Sequence, residues 1–248
     1  MALETFAAGG YRYIPGVFQY SAGVRAGDGF RIERASFRRP VPLREGFARI
    51  AAFLEANGRP LTAFCACELR ASEPMTEGGF RAFNEAYVGV LTEWGVVADG
   101  RNPVARSNVC PEIAPPPEPS FHAFSFTVPG DGEAPTFVVA GSGEVPEGKD
   151  NYRDHVVRPG DTSPAGLRAK ADFVLDEMER RMAALGVGWT ETTATQAYTV
   201  HDLHPFLAGS IVERGAAPLG LTWQFCRPPV AGLDYEMDCR GITVERVL

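Results

Sequence analysis

The sequence predicts an α+β fold of two domains in tandem, 1–130 and 131–248, each a mixed sheet with helices packed on one face. Three observations predict it. Apolar residues change period along the chain, from alternation to helical spacing and back. The order helix, glycine, strand, phenylalanine, helix, strand, proline break, strand occurs twice. A turn-rich stretch, Pro129-Gly130-Asp131-Gly132, separates the two copies. Each copy is a βαβ-type unit, which puts helices on one face of a mixed sheet.

In the first half, 11–30 is rich in aromatics and glycine (Tyr13, Phe18, Tyr20, Gly23, Gly27, Gly29) and reads as a strand pair with a Gly-rich turn. The next stretch carries Arg31, Arg34, Arg38 and Arg39, for which a solvated face is the plainer account. From Leu43 the period becomes helical, with Leu43, Phe47, Ile50 and Leu54 on one face and Asn57-Gly58 as the stop. A strand follows over 62–69, placing Cys65 and Cys67 on one face as small buried residues. Phe83, Tyr87, Val90 and Leu91 mark a second helix over 79–95, with Asn84 inside it at a mild propensity cost. Asn102-Pro103 is a turn, since the residue before proline avoids helix. It opens into a strand through Val104, Ser107 and Val109 that ends at Pro111. Arg106 starts that strand. A guanidinium matches a carboxylate with two parallel hydrogen bonds, although on pattern alone a rim arginine in a weak surface pair is the plainer account. The segment 121–128 completes the half as a strand, with His122 half-buried.

The second half repeats this order. A strand over 136–140 runs into a loop, 141–148, whose glycines let backbone approach a ligand. Leu167, Ala171, Val174, Met178, Met182 and Leu185 mark a long amphipathic helix, and Gly186 and Gly188 stop it. A strand over 192–200 leads through His201 and His204 into a second helix reaching Val212. Strands over 221–226 and 234–244 close the chain, with a break at Pro228-Pro229.

Composition narrows the function classes. The chain has 248 residues, 45% hydrophobic and 22% charged, which is the balance of a soluble globular protein. A net charge of −7 and a pI of about 5.2 argue against a nucleic-acid partner, which needs a basic face to displace counterions. No apolar run approaches a membrane span, and the first residues lack the pattern of a signal peptide. Five cysteines without C-x-x-C spacing argue against a disulfide framework or a metal site, and a reducing cytoplasm is the default.

Several segments together resemble the Rid (YjgF-like, reactive intermediate deaminase) family. Phe83-Asn84-Glu85-Ala86-Tyr87 resembles the family's V-N-x-x-Y helix, and Val104-Ala105-Arg106-Ser107 its P-A-R-S strand. Ser142-Gly143-Glu144-Val145-Pro146 resembles the S-G-Q-I-P loop, and Glu236-Met237-Asp238 the closing E-I-E strand. The resemblance covers roughly 42–126 and 136–244, with a looser fit before Pro42. It implies chorismate-mutase-like domains, a homo-oligomer built on threefold packing, and hydrolytic deamination of carboxylate-bearing imines and enamines without metal or organic cofactor.

By the same resemblance, Arg106 anchors a substrate carboxylate and Glu236 moves protons, with Asn84, Asn108, Ser142, Gly143 and Glu144 as substrate-binding groups. Gly220 stands about where the second half would carry its own arginine, and Phe121-His122 where the first half would carry its closing Glu. Each half keeps what the other lacks, so a composite site between unlike domains is expected. One branch of the family deaminates 2-aminomuconate, a dicarboxylate enamine, and that is the favoured substrate class; the basic patch is a candidate for attracting a dianion. The alternatives are a broad 2-iminoacid hydrolase and a non-catalytic small-ligand binder. Endoribonuclease activity is least favoured on charge.

Overall fold

Alternation and helical spacing become thirteen strands and four helices in the computed structural model, which describes residues 2–130, 134–149 and 151–248. The chain enters with β1 (Glu4–Phe6), β2 (Tyr11–Ile14) and β3 (Gly23–Ala26), paired antiparallel in sequence order. Then come β4 (Phe30–Pro42), α1 (Leu43–Ala56), β5 (Phe64–Arg70), α2 (Glu77–Glu93), β6 (Ala105–Pro111) and β7 (Ser120–Pro129). The second series is β8 (Phe137–Gly143), α3 (Pro164–Leu185), β9 (Ala194–Tyr198), α4 (His204–Phe206, continued by a π-helical turn, Leu207–Val212) and β10 (Leu221–Gln224). It ends with β11 (Cys226–Arg227), β12 (Glu236–Gly241) and β13 (Glu245–Val247).

Local chemistry sets the helix ends. Thr76 and Ser163 cap α2 and α3, each accepting at 3.1 Å from the backbone N–H three residues on. Gly186 closes α3 at a φ of 71°, a left-handed conformation that costs glycine nothing.

The strands form a six-stranded sheet, β11-β6-β5-β7-β4-β13, and a seven-stranded sheet, β1-β2-β3-β8-β12-β9-β10. Within them, β6-β5-β7-β4 and β10-β9-β12-β8 have the same pattern. One parallel pair (β5 with β6, β9 with β10) is joined through a helix, and the remaining pairs are antiparallel. The chain also trades strands between the sheets. β1 to β3 extend the sheet of the second series, while β11 and β13 join the first. The expected break at 130/131 falls on the passage from β7 to β8, where 131–133 lie outside the described residues, and sheet membership crosses it in both directions.

The two sheets face each other and the helices cover their outer faces. In β12, period-two alternation sends Met237 and Cys239 into the core under α3 and turns Glu236, Asp238 and Arg240 toward the other sheet. In β8, Phe137 and Val139 pack on the same helix core, while Val138 and Ala140 join Ala66 and Ala105 between the sheets. α1 and α2 cover the first sheet over Phe47, Ile50, Leu54, Tyr87 and Leu91. Two expectations need correction. β8 runs on to Gly143, so Gly141 and Ser142 are strand residues rather than loop; Ser142 and Gly143 pair with β12, and a register irregularity follows before Val139. Arg34 belongs to no solvated face, being 6% exposed.

Arg34 is buried because it answers a buried carboxylate. Its Nε and Nη2 donate to the two oxygens of Glu68 at 2.6 and 3.0 Å, and Arg240 of the opposite sheet stands 3.9 Å away. Burial alone would raise the Glu68 carboxyl, but the Arg34 guanidinium overrides it and holds the group well below the usual carboxylate range. That stabilisation is present above the unfolded carboxylate range and is lost as pH falls through the lowered folded value. Arg34→Ala leaves this charge without its bidentate partner and is expected to cost about 3–5 kcal/mol in urea unfolding at neutral pH. A loss below about 1 kcal/mol, within the range of surface pairs, would show that the pair does not hold the sheets' polar interior.

Candidate active site

The second residue of β6, Arg106, lies beside Cys67 of β5 and is 3% exposed. Its guanidinium carbon sits over four rings, 4.9 Å from the centroid of Tyr87, 5.4 Å from Tyr20, 5.6 Å from Phe83 and 5.7 Å from Phe80. Three of these rings come from α2 at helical spacing and so share one face. Such contacts steady a cation without using its N–H groups. Nη1 is buried with no hydrogen-bond partner, and among the described residues no carboxylate pairs with Arg106. It is therefore not a rim arginine. Asn108, two residues on and on the same side of the strand, has both amide atoms buried and unpaired. A buried cation and a buried amide left open on one wall call for an acceptor-rich ligand.

The opposite wall comes from the other sheet. Gly143 at the end of β8 is directly paired with Glu236 at the start of β12, and Ser142 with Met237. Arg106, Asn108, Ser142, Gly143 and Glu236 line one cavity, together with Tyr20, Phe80, Gly141, Glu147 and Tyr152. Val145, Val230 and Leu233 pack with Phe80 as its apolar side. Gly141 makes the meeting of the sheets possible. A Cβ there would lie 2.2 Å from Glu236 Oε1 and 3.2 Å from the Ser107 backbone of the facing sheet. With no side chain at 141, the Glu236 carboxyl lies across the strand instead.

Glu236 is 5% exposed. Burial pushes its carboxyl well above the ordinary range, the carboxylates of Asp238 and Glu144 push the same way, and Arg106 and Arg70 oppose them without prevailing. A carboxyl whose hold on its proton is strengthened by burial, beside an unpaired guanidinium, has the properties of a general acid next to an anion anchor.

Two expected site residues stand elsewhere. Glu144 is fully buried and turned away from the cavity. It accepts from Lys170 at 3.2 Å and from the backbone N–H groups of Asp234 at 2.6 Å and Tyr235 at 3.1 Å. Lys170 also reaches Asp234 at 2.6 Å, so this cluster ties α3 and the end of β8 to the residues entering β12. Glu144 thereby fixes where Glu236 begins. Asn84, 1% exposed with an unpaired Oδ1, lines a neighbouring cavity of about 440 Å³ that shares Phe80 and Tyr152 with the first. None of Arg31, Arg34, Arg38 and Arg39 lines either cavity, and Arg38 and Arg39 border a separate groove with Arg49 and Leu248. Gly220 precedes β10 on the exposed surface. The residues that sequence reasoning missed are Gln19, Tyr20, Gly141, Glu147 and Tyr152. Only the aromatic density of 11–30 and the glycine-rich 141–148 carried any signal of them.

Gly141→Ala should push the Glu236 carboxyl out of line while leaving the core intact. The expected result is a fall in kcat of roughly 100-fold with a wild-type circular dichroism spectrum. Wild-type kcat in this variant would refute the positioning role of Gly141.

The sequence profile of the family described as 2-aminomuconate deaminase CnbZ matches residues 3–246. A 2-amino-5-chloromuconate deaminase of Comamonas testosteroni is 50% identical over 245 residues, 98% of each chain. Among solved structures, a chorismatase aligns over 92% of this chain and 78% of its own, with a TM-score of 0.51 and 12% identity, a likeness of fold alone. The YjgF gene product of E. coli aligns over 43% of this chain and 80% of its own, with a TM-score of 0.31 and 17% identity.

Proposed function

The chain belongs to the 2-aminomuconate deaminase family, and we propose that it hydrolyses the C–N bond of a muconate-type enamine, releasing ammonia and leaving the 2-oxo acid. The observation that carries this reading is the buried Arg106 without a carboxylate partner among the described residues, facing a buried Glu236 whose proton affinity is raised. The first offers two parallel hydrogen bonds to the carboxylate next to the reacting carbon. The second offers a proton within the same cavity.

The chemistry needs little more. Proton transfer to C3 turns the enamine into the protonated imine, and water adds to the imine carbon. The amine of the resulting carbinolamine takes a proton and leaves as ammonia while the C=O bond forms. Glu236 gives the proton in the first step, receives one from the attacking water, gives it to the leaving amine, and takes the hydroxyl proton as the C=O bond forms, so it ends as it began. Arg106 and Asn108 hold the carboxylate, and Ser142 and Gly143 form the wall along which the water sits. Most of the gain comes from placement.

In this reading Arg106→Ala costs roughly 30- to 1000-fold in kcat/KM for 2-aminomuconate. Arg106→Lys rescues part of it, because an ammonium cannot reproduce the fork. Glu236→Gln lowers kcat with KM little changed. The acid form of Glu236 starts the reaction, so activity falls as pH rises through its raised pKa, and the Gln variant loses that alkaline limb. Steady-state ammonia release across pH measures all of this. Wild-type kcat/KM in Arg106→Ala, or the same alkaline limb in Glu236→Gln, would sink the assignment, and faster release from 2-iminobutyrate than from 2-aminomuconate would move the substrate class to simple 2-imino acids.

The same reading includes assembly and place. β10 is an open sheet edge beside exposed Leu219, Trp223 and Phe225, which supports a homo-oligomer; threefold-related packing is what the family resemblance implies for it. A monodisperse monomer by light scattering would overturn that. All five cysteines are free and no described helix is long and apolar enough to cross a membrane; the free thiols favour the cytoplasm.

A further inference from the structure

The cavity beside Arg106 is small, about 50 Å³, which leaves no room for a six-carbon dicarboxylate. It adjoins the cavity of about 440 Å³ across the rings of Phe80 and Tyr152, which line both. A substrate held at one end by Arg106 must extend past these rings into the larger space. That space is built for a polar group. Gln19 and Asn84 line it, 6% and 1% exposed, and the amide oxygen of each is buried without a hydrogen-bond partner. Asn84 lies one helical turn after Phe80, while Gln19 precedes Tyr20, whose ring covers the other side of Arg106. Both amides therefore stand next to the cage that holds the first carboxylate.

The charges around the larger cavity are Glu77, Arg81 and Lys149. Glu77 is used by the chain, accepting from the backbone N–H groups of Tyr152 at 3.0 Å and Arg153 at 3.2 Å, which ties the covering loop to the first turn of α2. Arg81 pairs with Glu85 at 3.1 Å. Lys149 has no ion-pair partner among the described residues. We infer that Gln19, Asn84 and Lys149 form a second carboxylate subsite, which takes the far end of a dicarboxylate substrate whose near end lies on Arg106. An amide turned about its last torsion presents its NH₂ to the anion, and the lysine supplies the opposite charge at the mouth. The inference rests on the muconate deaminase reading for the substrate and adds the residues that distinguish a dicarboxylate from a monocarboxylate.

Two non-reacting probes test it. Trans,trans-muconate and sorbate share one six-carbon diene skeleton and differ in having a carboxylate or a methyl group at the far end. By isothermal titration calorimetry, wild-type protein is expected to bind muconate at least tenfold more tightly than sorbate, the usual scale of one charge-assisted contact. Gln19→Leu and Lys149→Ala should each reduce that preference several-fold; the lysine is exposed, so its variant carries no folding risk. Equal affinities in the wild type, no measurable muconate binding, or a preference that survives in both variants would overturn the subsite. Turnover of 2-aminomuconate by the wild type is measured separately. Absent turnover with an intact muconate preference would sink the deaminase reading while leaving the dicarboxylate subsite in place.

Discussion

A guanidinium buried against rings instead of carboxylates is the constraint on which the site depends. Taking a charge out of water is costly unless something answers it. The protein answers Arg106 from the sides, through Tyr20, Phe80, Phe83 and Tyr87, and leaves its fork open. Elsewhere between the sheets the same side chain is treated in the opposite way: Arg34 is closed off by two hydrogen bonds to Glu68. The contrast separates a closed arginine from an open one more clearly than burial does, because both are nearly inaccessible. An aromatic cage also fixes the direction of the fork. Rings on both sides stop the guanidinium from following solvent, so its donors face the cavity before any ligand arrives.

That cage would have nothing to face without the close contact of the two sheets. A carboxyl on β12 reaches the β6 wall because Gly141 stands between them without a side chain. The traded strands make the contact hard to pull apart. β1 to β3 lie N-terminal to the first sheet yet extend the second, and β13 returns from the C-terminus to pair with β4. Rotating one sheet against the other would break these pairings as well as the polar interior around Glu68 and Arg240. The alignment of Arg106 with Glu236 is therefore a property of the folded chain as a whole, set by pairings far from the cavity.

The helices, the strand order within each series and the alternation of β12 were legible in the sequence, because each depends on a local period. Arg106, Asn108, Ser142, Gly143 and Glu236 were legible through their motifs, and the structure gathers them into one cavity. Which sheet β1 to β3 would join was not legible, since alternation tells which face of a strand is apolar and says nothing of its neighbour. Glu144 looked like a ligand-facing residue because it stands in the segment that resembles the S-G-Q-I-P loop. The signal against that was Lys170, a charge on the otherwise apolar stripe of α3 between Leu167 and Val174, which needed a buried partner. Gln19 and Tyr152 were out of reach for a different reason. Their roles exist only where segments remote in sequence close over α2.

The acid–base behaviour of Glu236 also follows from where charges are spent. Glu144 and Asp238 are carboxyls raised, like Glu236, first by burial. Glu144 is engaged by Lys170 and two backbone N–H groups. Asp238 is engaged by Gln196 at 2.9 Å and Tyr198 at 2.8 Å. Both have partners for an ionised form, and Glu236 has none among the described residues apart from the distant pull of Arg106 and Arg70. Glu236 lacks the support that the other two carboxyls have, and their charges add to the rise that burial imposes on it. A ligand carboxylate arriving on Arg106 would cancel the nearest positive charge and raise Glu236 further. In the proposed reaction, an anchor and an acid placed this way would be coupled through charge alone, with no movement of either side chain required.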